Sequence, residues 1–291
     1  MKKKIRRLAV GAVRRFLPAG ARNSLRLWLM LDLPDRAATP ITDFSAGPAV
    51  VLAPHMDDEI VGPGGTIALH AQAGVKVCVL LLTDGALGDP DMGAGDPTPQ
   101  DMIRRRRALT ELRKEESRRA GQIVGISEFE FYDAPDGALA DTPELVQKVA
   151  AALERRRPAV VYAPALTDFH VDHWAANRIL RLALDRLPGF LLRNMVIRGY
   201  EIWSTLPANR IADITAVIKI KEQAIAAFSS QMKSTDFVSA ALGLNRYRSM
   251  VYSQGRGYAE GFLETTVAQY RELFEAIILR GNGARHIERR P

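Results

Sequence analysis

Ala49-Val50-Val51-Leu52-Ala53 runs directly into Pro54-His55-Met56-Asp57-Asp58-Glu59 and then into Gly62-Pro63-Gly64-Gly65. A short, uninterrupted apolar run bounded by turn residues reads as a strand buried on both faces. The glycine-rich turn opens a helix-like segment from Thr66 to Ala73, and Val75 to Leu82 supplies a second apolar run. Strand, helix and strand in that order form a right-handed βαβ unit of a parallel sheet. The polar PHMDDE stretch therefore falls at the carboxyl edge of that sheet, where open α/β folds bind their ligands.

Beyond this unit, Gly85 to Gln100 is rich in Gly, Pro and Asp without periodicity, as expected of a functional loop. A charged helix from about Met102 to Val124 follows, then strand-like Phe129 to Tyr132, helix-like Thr142 to Arg156 and strand-like Ala159 to Ala163. Helix-like Asp172 to Leu187, strand-like Val196 to Trp203, a helix around Thr215 to Ser230 and a helical C-terminal stretch complete the alternation. The fold class is α/β, a Rossmann-like three-layer arrangement around a mostly parallel sheet. Residues 41–291 are expected to form one domain behind a basic arm, residues 1–40.

The net charge of +7 raises nucleic acid as a partner, but its distribution argues against it. Residues 1–40 hold ten Lys or Arg and two Asp, a local +8, so the remainder carries −1. Ile5, Leu8, Ala9, Ala12 and Phe16 share one helical face, opposite Lys3, Arg7 and Arg14. Such an arm fits either an anionic membrane surface or the body of the protein. The apolar run from Leu8 to Val13 is too short for a leader and ends at Arg14, and no apolar run is long enough to span a bilayer. A cytoplasmic protein, at most peripheral to the membrane, is expected. A homo-oligomer is compatible with the sequence.

Cys78 is the sole cysteine, which excludes an internal disulfide and a cysteine-based metal cluster. Any metal must then use imidazoles and carboxylates. In PHMDDE three carboxylates crowd one imidazole, an arrangement that a divalent cation offsets. The second polar cluster, Asp168-Phe169-His170-Val171-Asp172-His173, follows the apolar run Ala159 to Ala163 and so is expected at the same sheet edge. Two imidazoles plus a carboxylate make the three-ligand set of a catalytic zinc site, with a fourth position left for water.

PHMDDE with a distant HVDH resembles the LmbE-like, or PIG-L-like, de-N-acetylases, whose usual forms are PHPDDE and HPDH. The resemblance extends through LRKEESRRAGQIVGI at 112–126, YEIW at 200–203, KEQAIAAFSSQ at 221–231 and YAEGF at 258–262. Met56 and Val171 replace the prolines of the two motifs without removing a ligand. The resemblance implies zinc, or another divalent metal such as Fe2+, on His55, Asp58 and His173, with Asp57 as general base. It further implies that His170, supported by Asp172, stabilises the oxyanion or protonates the leaving amine, and that Arg113 binds substrate. The implied reaction is hydrolysis of an N-acetyl amide on an N-acetylglucosamine-type conjugate, either a small molecule or lipid-linked.

Two other readings compete with it. A nucleotide-binding Rossmann-like protein would use the GPGG turn for phosphate and Asp84 for ribose. A non-catalytic sugar-binding relative would keep the fold without turnover. Tyr200 and Trp203 suit either sugar stacking or core packing, and His70 reads as structural.

Overall fold

The AVVLA run forms strand β2 (Ala49–Ala53), each residue at most 1% exposed, in a computed structural model that describes residues 38–89 and 91–281. Its neighbours are β3 (Val77–Thr83) on one side and β5 (Val160–Pro164) on the other, both parallel to it and buried throughout. With both faces covered, nothing selects alternation, so these strands are continuous apolar runs. Parallel strands β4 (Glu128–Ala134) and β6 (Val196–Tyr200) extend the sheet beyond β3 and β5 respectively. The chain leaves β2 toward β3 and later returns to the opposite side with β5, which makes β2/β5 the switch point of the sheet.

Helices α1 (Asp58–Val61) and α2 (Gly64–Gln72) lie between β2 and β3. Between β3 and β4 runs α3 (Pro99–Val124), opened by a reciprocal Thr98–Asp101 capping box and closed by Gly125 in the left-handed region. Helix α4 (Pro143–Arg156), capped by Thr142, precedes β5, and α5 (Val171–Asp185) with the short α6 (Gly189–Leu192) precedes β6.

The C-terminal third departs from the expected helices. Strand β7 (Arg210–Asp213), helices α7 (Ile218–Ala226) and α8 (Phe237–Ser253), strand β8 (Ala259–Thr266) and helix α9 (Val267–Gly281) complete the described chain. Strand β8 pairs antiparallel with both β6 and β7. Charged residues interrupt each strand's apolar pattern, which hides them from periodicity: Glu260 and Glu264 in β8, Arg210 and Asp213 in β7. Tertiary partners offset those charges. Glu264 accepts from Arg198 and Arg210 at 2.8 Å, and Glu260 from Lys221 at 2.7 Å.

Residues 1–37, and with them most of the arm, lie outside the described residues. Of its last residues, Thr39 and Pro40 form the edge strand β1 and pair in parallel with Arg210 and Ile211 of β7. The arm boundary drawn at residue 40 therefore falls inside the sheet. Among the described residues no helix is long and apolar enough to cross a membrane.

The GPGG turn is a packing device. A Cβ on Gly65 would sit 2.7 Å from the Ile214 side chain, and one on Gly62 would sit 2.5 Å from the Tyr200 ring. The amides of Gly65 and Thr66 at the start of α2 are each held at 2.8 Å by the Glu260 carboxylate. The protein's own anion thus fills the place where a nucleotide phosphate would bind. Asp84 is likewise engaged within its loop, accepting from Ala86 N at 3.1 Å and Asp136 N at 3.3 Å.

Candidate active site

The turn after β2 carries His55, Asp57 and Asp58, and the loop after β5 carries Asp168, His170, Asp172 and His173. Both project from carboxyl ends of adjacent parallel strands, as the strand order requires. Asp58 Oδ2 lies 3.2 Å from His55 Nδ1 and 3.2 Å from His173 Nε2. His55 Nε2 in turn meets Asp172 Oδ2 at 3.0 Å and Asp136 Oδ1 at 3.3 Å, while His173 Nδ1 meets Asp168 Oδ2 at 3.1 Å. Each imidazole therefore has one nitrogen toward Asp58 and the other braced by a carboxylate, the arrangement that orients metal-binding histidines.

His173 is fully buried, and neither of its ring nitrogens has an aligned hydrogen bond despite the nearby carboxylates. A buried imidazole in that condition is costly unless another partner satisfies it. The donor set suits a divalent cation of the zinc type. His170 also comes close: donor nitrogens of His55, His170 and His173 lie within 4.8 Å of one another, as do donors of His55, Asp136 and Asp172.

Electrostatics separates the two adjacent aspartates. Burial alone would raise Asp58, but His173 and His55 hold its carboxyl well below the usual range. Asp57 is pushed up to about 7, mainly by burial, against the pull of the Arg113 guanidinium. Its backbone adopts φ 140°, a conformation that L residues rarely take, and such strain concentrates at functional positions. Glu59, wholly buried, is raised by burial to about 8, and its Oε2 accepts from Asp57 N at 3.0 Å. Burial pulls the His55 and His173 imidazoles down, yet the neighbouring carboxylates prevail. Asp136, Asp172 and Asp58 raise His55 well above 6.5, and Asp58 with Asp168 raises His173 to about 9.

Three sequence expectations change. The Asp172 carboxylate does not face His170. Asp172 lies in the first turn of α5, and its carboxylate reaches the loop amides of Gly137 (2.7 Å) and Leu139 (3.0 Å) together with His55. His170 caps α5, its Nδ1 accepting from Asp172 N at 3.2 Å, which leaves the hydrogen of a neutral ring on Nε2. Nor do the surroundings favour a cationic His170, whose pKa is lowered by burial and by the charges on His55 and His173. Arg113 is 3% exposed and donates to Met56 O at 2.6 Å, Gly85 O at 3.0 Å and Asp57 Oδ2 at 3.3 Å. Its first effect is to hold Asp57, although it also borders the cleft.

That cleft measures about 300 Å3 and is bordered by His55, Asp57, Asp58, Arg113, His170 and Trp203. Neither Asp136 nor Asp168 belongs to the site expected from the sequence. Asp136 carried a usable signal, a polar PDG turn after a strand at the same sheet edge, and Asp168 stood inside the second cluster. Glu116 of the KEES segment receives Ser229 Oγ, Ser230 N and Ser230 Oγ at 2.6–2.8 Å, so it ties α3 to the SSQ segment.

Comparison with known proteins agrees with this architecture. The family model described as PIG-L, GlcNAc-PI de-N-acetylase, matches residues 50–184. The chain is 28% identical over 190 residues to diacetylchitobiose deacetylase of Thermococcus kodakarensis, covering 61% of this chain and 67% of that one. It is 23% identical over 235 residues to 4-oxalmesaconate hydratase of Pseudomonas putida, covering 71% and 87%. Among solved structures, the conserved protein TT1542 from Thermus thermophilus superposes with a TM-score of 0.58 at 32% identity, over 74% of this chain and 92% of that one. Sheet order, the two polar clusters and these similarities agree, and the chain belongs to the PIG-L family of de-N-acetylases.

Proposed function

We propose that the protein is a zinc-dependent amidohydrolase that removes the acetyl group from an N-acetylglucosamine-type conjugate, yielding acetate and a free amine. The observation that carries this reading is Asp58 Oδ2 standing 3.2 Å from nitrogens of both His55 and His173. In this reading His55, Asp58 and His173 hold the ion, and Fe2+ fits the same donors. A divalent cation supplies Lewis acidity toward the amide carbonyl and makes water a stronger nucleophile at neutral pH.

The chain's own groups do the rest. Asp57, pinned by Arg113 beside the cleft, accepts the proton of the attacking water as its oxygen bonds to the carbonyl carbon. His170, neutral with Nε2–H free to donate, stabilises the developing oxyanion. When the C–N bond breaks, the amine takes the proton that Asp57 had accepted. Asp172, Asp136 and Asp168 orient the two ligand imidazoles, and Glu59 fixes the strained Asp57 backbone.

The relatives' names support the amide chemistry, including the deacetylase that acts on diacetylchitobiose. Lipid-linked amino sugars belong among the substrates to be assayed, because a +8 arm fits an anionic membrane surface as well as it fits the body of the protein. The test is elemental analysis with an activity assay: about one tightly held divalent ion per chain, and acetate release from N-acetylglucosamine conjugates that stops on chelation and returns with zinc. Metal-independent turnover would overturn the reading. Absence of acetate release, together with hydration of an unsaturated oxo-acid, would move the assignment toward the hydratase-like relative.

A further inference from the structure

Beside the metal cleft lies a second cavity of about 170 Å3. It is walled by Tyr200, Trp203, Phe237, Ala241, Leu244 and Phe262, from β6 and its following loop, α8 and β8. The two spaces share Val61, Ile202, Trp203 and Phe237, so they adjoin through a common wall. The Trp203 and Phe237 rings meet edge to face, 6.1 Å between centroids, at that divide. Trp203 is 44% exposed and Phe237 only partly buried, so the divide stands open on the solvent side.

Most polar groups around this cavity already have partners, and Asn245 Oδ1 is the buried lining atom left without one. Glu201 receives Leu206 N and Arg248, Glu260 receives Gly65 N, Thr66 N and Lys221, and Asn245 Nδ2 donates to Ala259 O. A guest therefore meets mainly carbon, with the one free acceptor at Asn245 Oδ1, and a charged or strongly hydrated guest would lose most of its water without replacement bonds. A dry apolar cavity of about 150 Å3 admits a benzene ring. The 170 Å3 space is of that size.

We propose that this cavity binds an uncharged, ring-sized apolar group carried by the same substrate whose amide lies at the metal cleft. The proposal rests on the deacetylase reading for the substrate and on the cavity itself for the group. Aromatic walls beside a polar reaction centre give orientation by apolar contact, and the hydrogen-bonding groups at the cleft fix the reacting end.

Two measurements on the full chain test it and separate it from the deacetylase reading. Ligand-observed NMR with benzene alone reads the cavity without turnover; binding should be lost in Ala240→Trp, a substitution at an exposed lining position, and in Ala241→Phe. Acetate or acyl release is then compared for methyl and phenyl N-acetylglucosaminides and for N-phenylacetylglucosamine. We expect kcat/KM for a phenyl-bearing substrate to exceed that of the methyl glycoside by at least about tenfold, given the apolar area buried. That ratio should fall toward one in both variants. A gain confined to the phenyl glycoside places the group on the sugar's aglycone, and a gain confined to the phenylacetyl amide places it on the acyl side. Benzene binding that survives both variants, or a kcat/KM for both phenyl-bearing substrates no higher than that of the methyl glycoside, overturns the proposal. No release from any substrate, with benzene binding still abolished by the variants, would sink the deacetylase reading and leave the cavity supported.

Discussion

Asp57 and Asp58 are adjacent in sequence and opposite in chemistry. One is buried with a raised pKa and a guanidinium beside it, and the other is held ionised between two imidazoles. Asp57→Asn should retain the metal by elemental analysis and lose roughly 100-fold or more in kcat, the usual scale for removing a general base. Loss of metal instead would make Asp57 a ligand. Asp172→Asn and Asp136→Asn each remove a brace from His55, so zinc affinity should fall about 10- to 100-fold in a chelator competition, with the fold intact by circular dichroism. Unchanged affinity in both would deny the bracing role. His70 belongs to a different class: it donates from Nδ1 to Phe44 O at 2.6 Å and accepts Tyr162 Oη–H at 2.9 Å, and Tyr162 is engaged by Arg198 at 2.8 Å. Burial keeps its folded pKa below 6.5, so the unfolded chain binds the proton more readily. Its stabilising contribution is complete above pH 6.5 and is lost as pH falls from there toward the folded pKa. Urea midpoints at about pH 8 and about pH 5 should therefore differ more in the wild type than in His70→Gln, and equal differences would show that His70 does not titrate.

Helix α2 begins on a carboxylate supplied from β8, nearly two hundred residues later. Lys221 of α7 is fully buried and donates to Glu260 Oε1 at 2.7 Å and to Gly62 O at 2.9 Å, closing a clamp around the turn that follows Asp58. Breaking a buried pair from one side leaves an uncompensated charge, a loss of about 3–5 kcal/mol. Lys221→Met should lower stability in denaturant titration on that scale, whereas Lys221→Met with Glu260→Gln should recover part of it, since the neutral amide no longer carries the stranded charge. A single variant as stable as the wild type would show that the pair is not structural.

At the scale of the molecule, the sheet places its functional groups by strand order alone. The chain puts β3 on one side of β2 and β5 on the other, so the loops after β2 and β5 face each other across the switch point, and the loop after β4 brings in Asp136 from beyond β3. The antiparallel β8 carries Glu260 back beneath the same turn and, with α8, walls the apolar cavity. A ligand that binds only the folded state adds stability by mass action, and a metal joining segments from β2 and β5 should do so for the domain. Zinc-loaded protein should melt at a higher temperature than chelated protein, with a smaller difference in His173→Ala. An equal difference in that variant would place the stabilising ion elsewhere.

Apolar runs at 49–53, 75–82 and 159–163, which form β2, β3 and β5, made the parallel centre of the sheet legible in the sequence, because strands buried on both faces admit little but apolar residues. The two polar clusters were legible for the complementary reason: imidazoles and carboxylates directly after such strands have few uses other than a site. Strands β7 and β8 were hidden, because their charges find partners only when Arg198, Arg210 and Lys221 arrive from distant segments. Only the folded chain decided that Asp172 braces His55 instead of His170, that Arg113 grips Asp57, and that Asp136 and Asp168 complete the cluster. Residue type and strand position determine which groups reach the sheet edge, but the direction of a carboxylate is set by whichever donors the neighbouring loops leave unpaired.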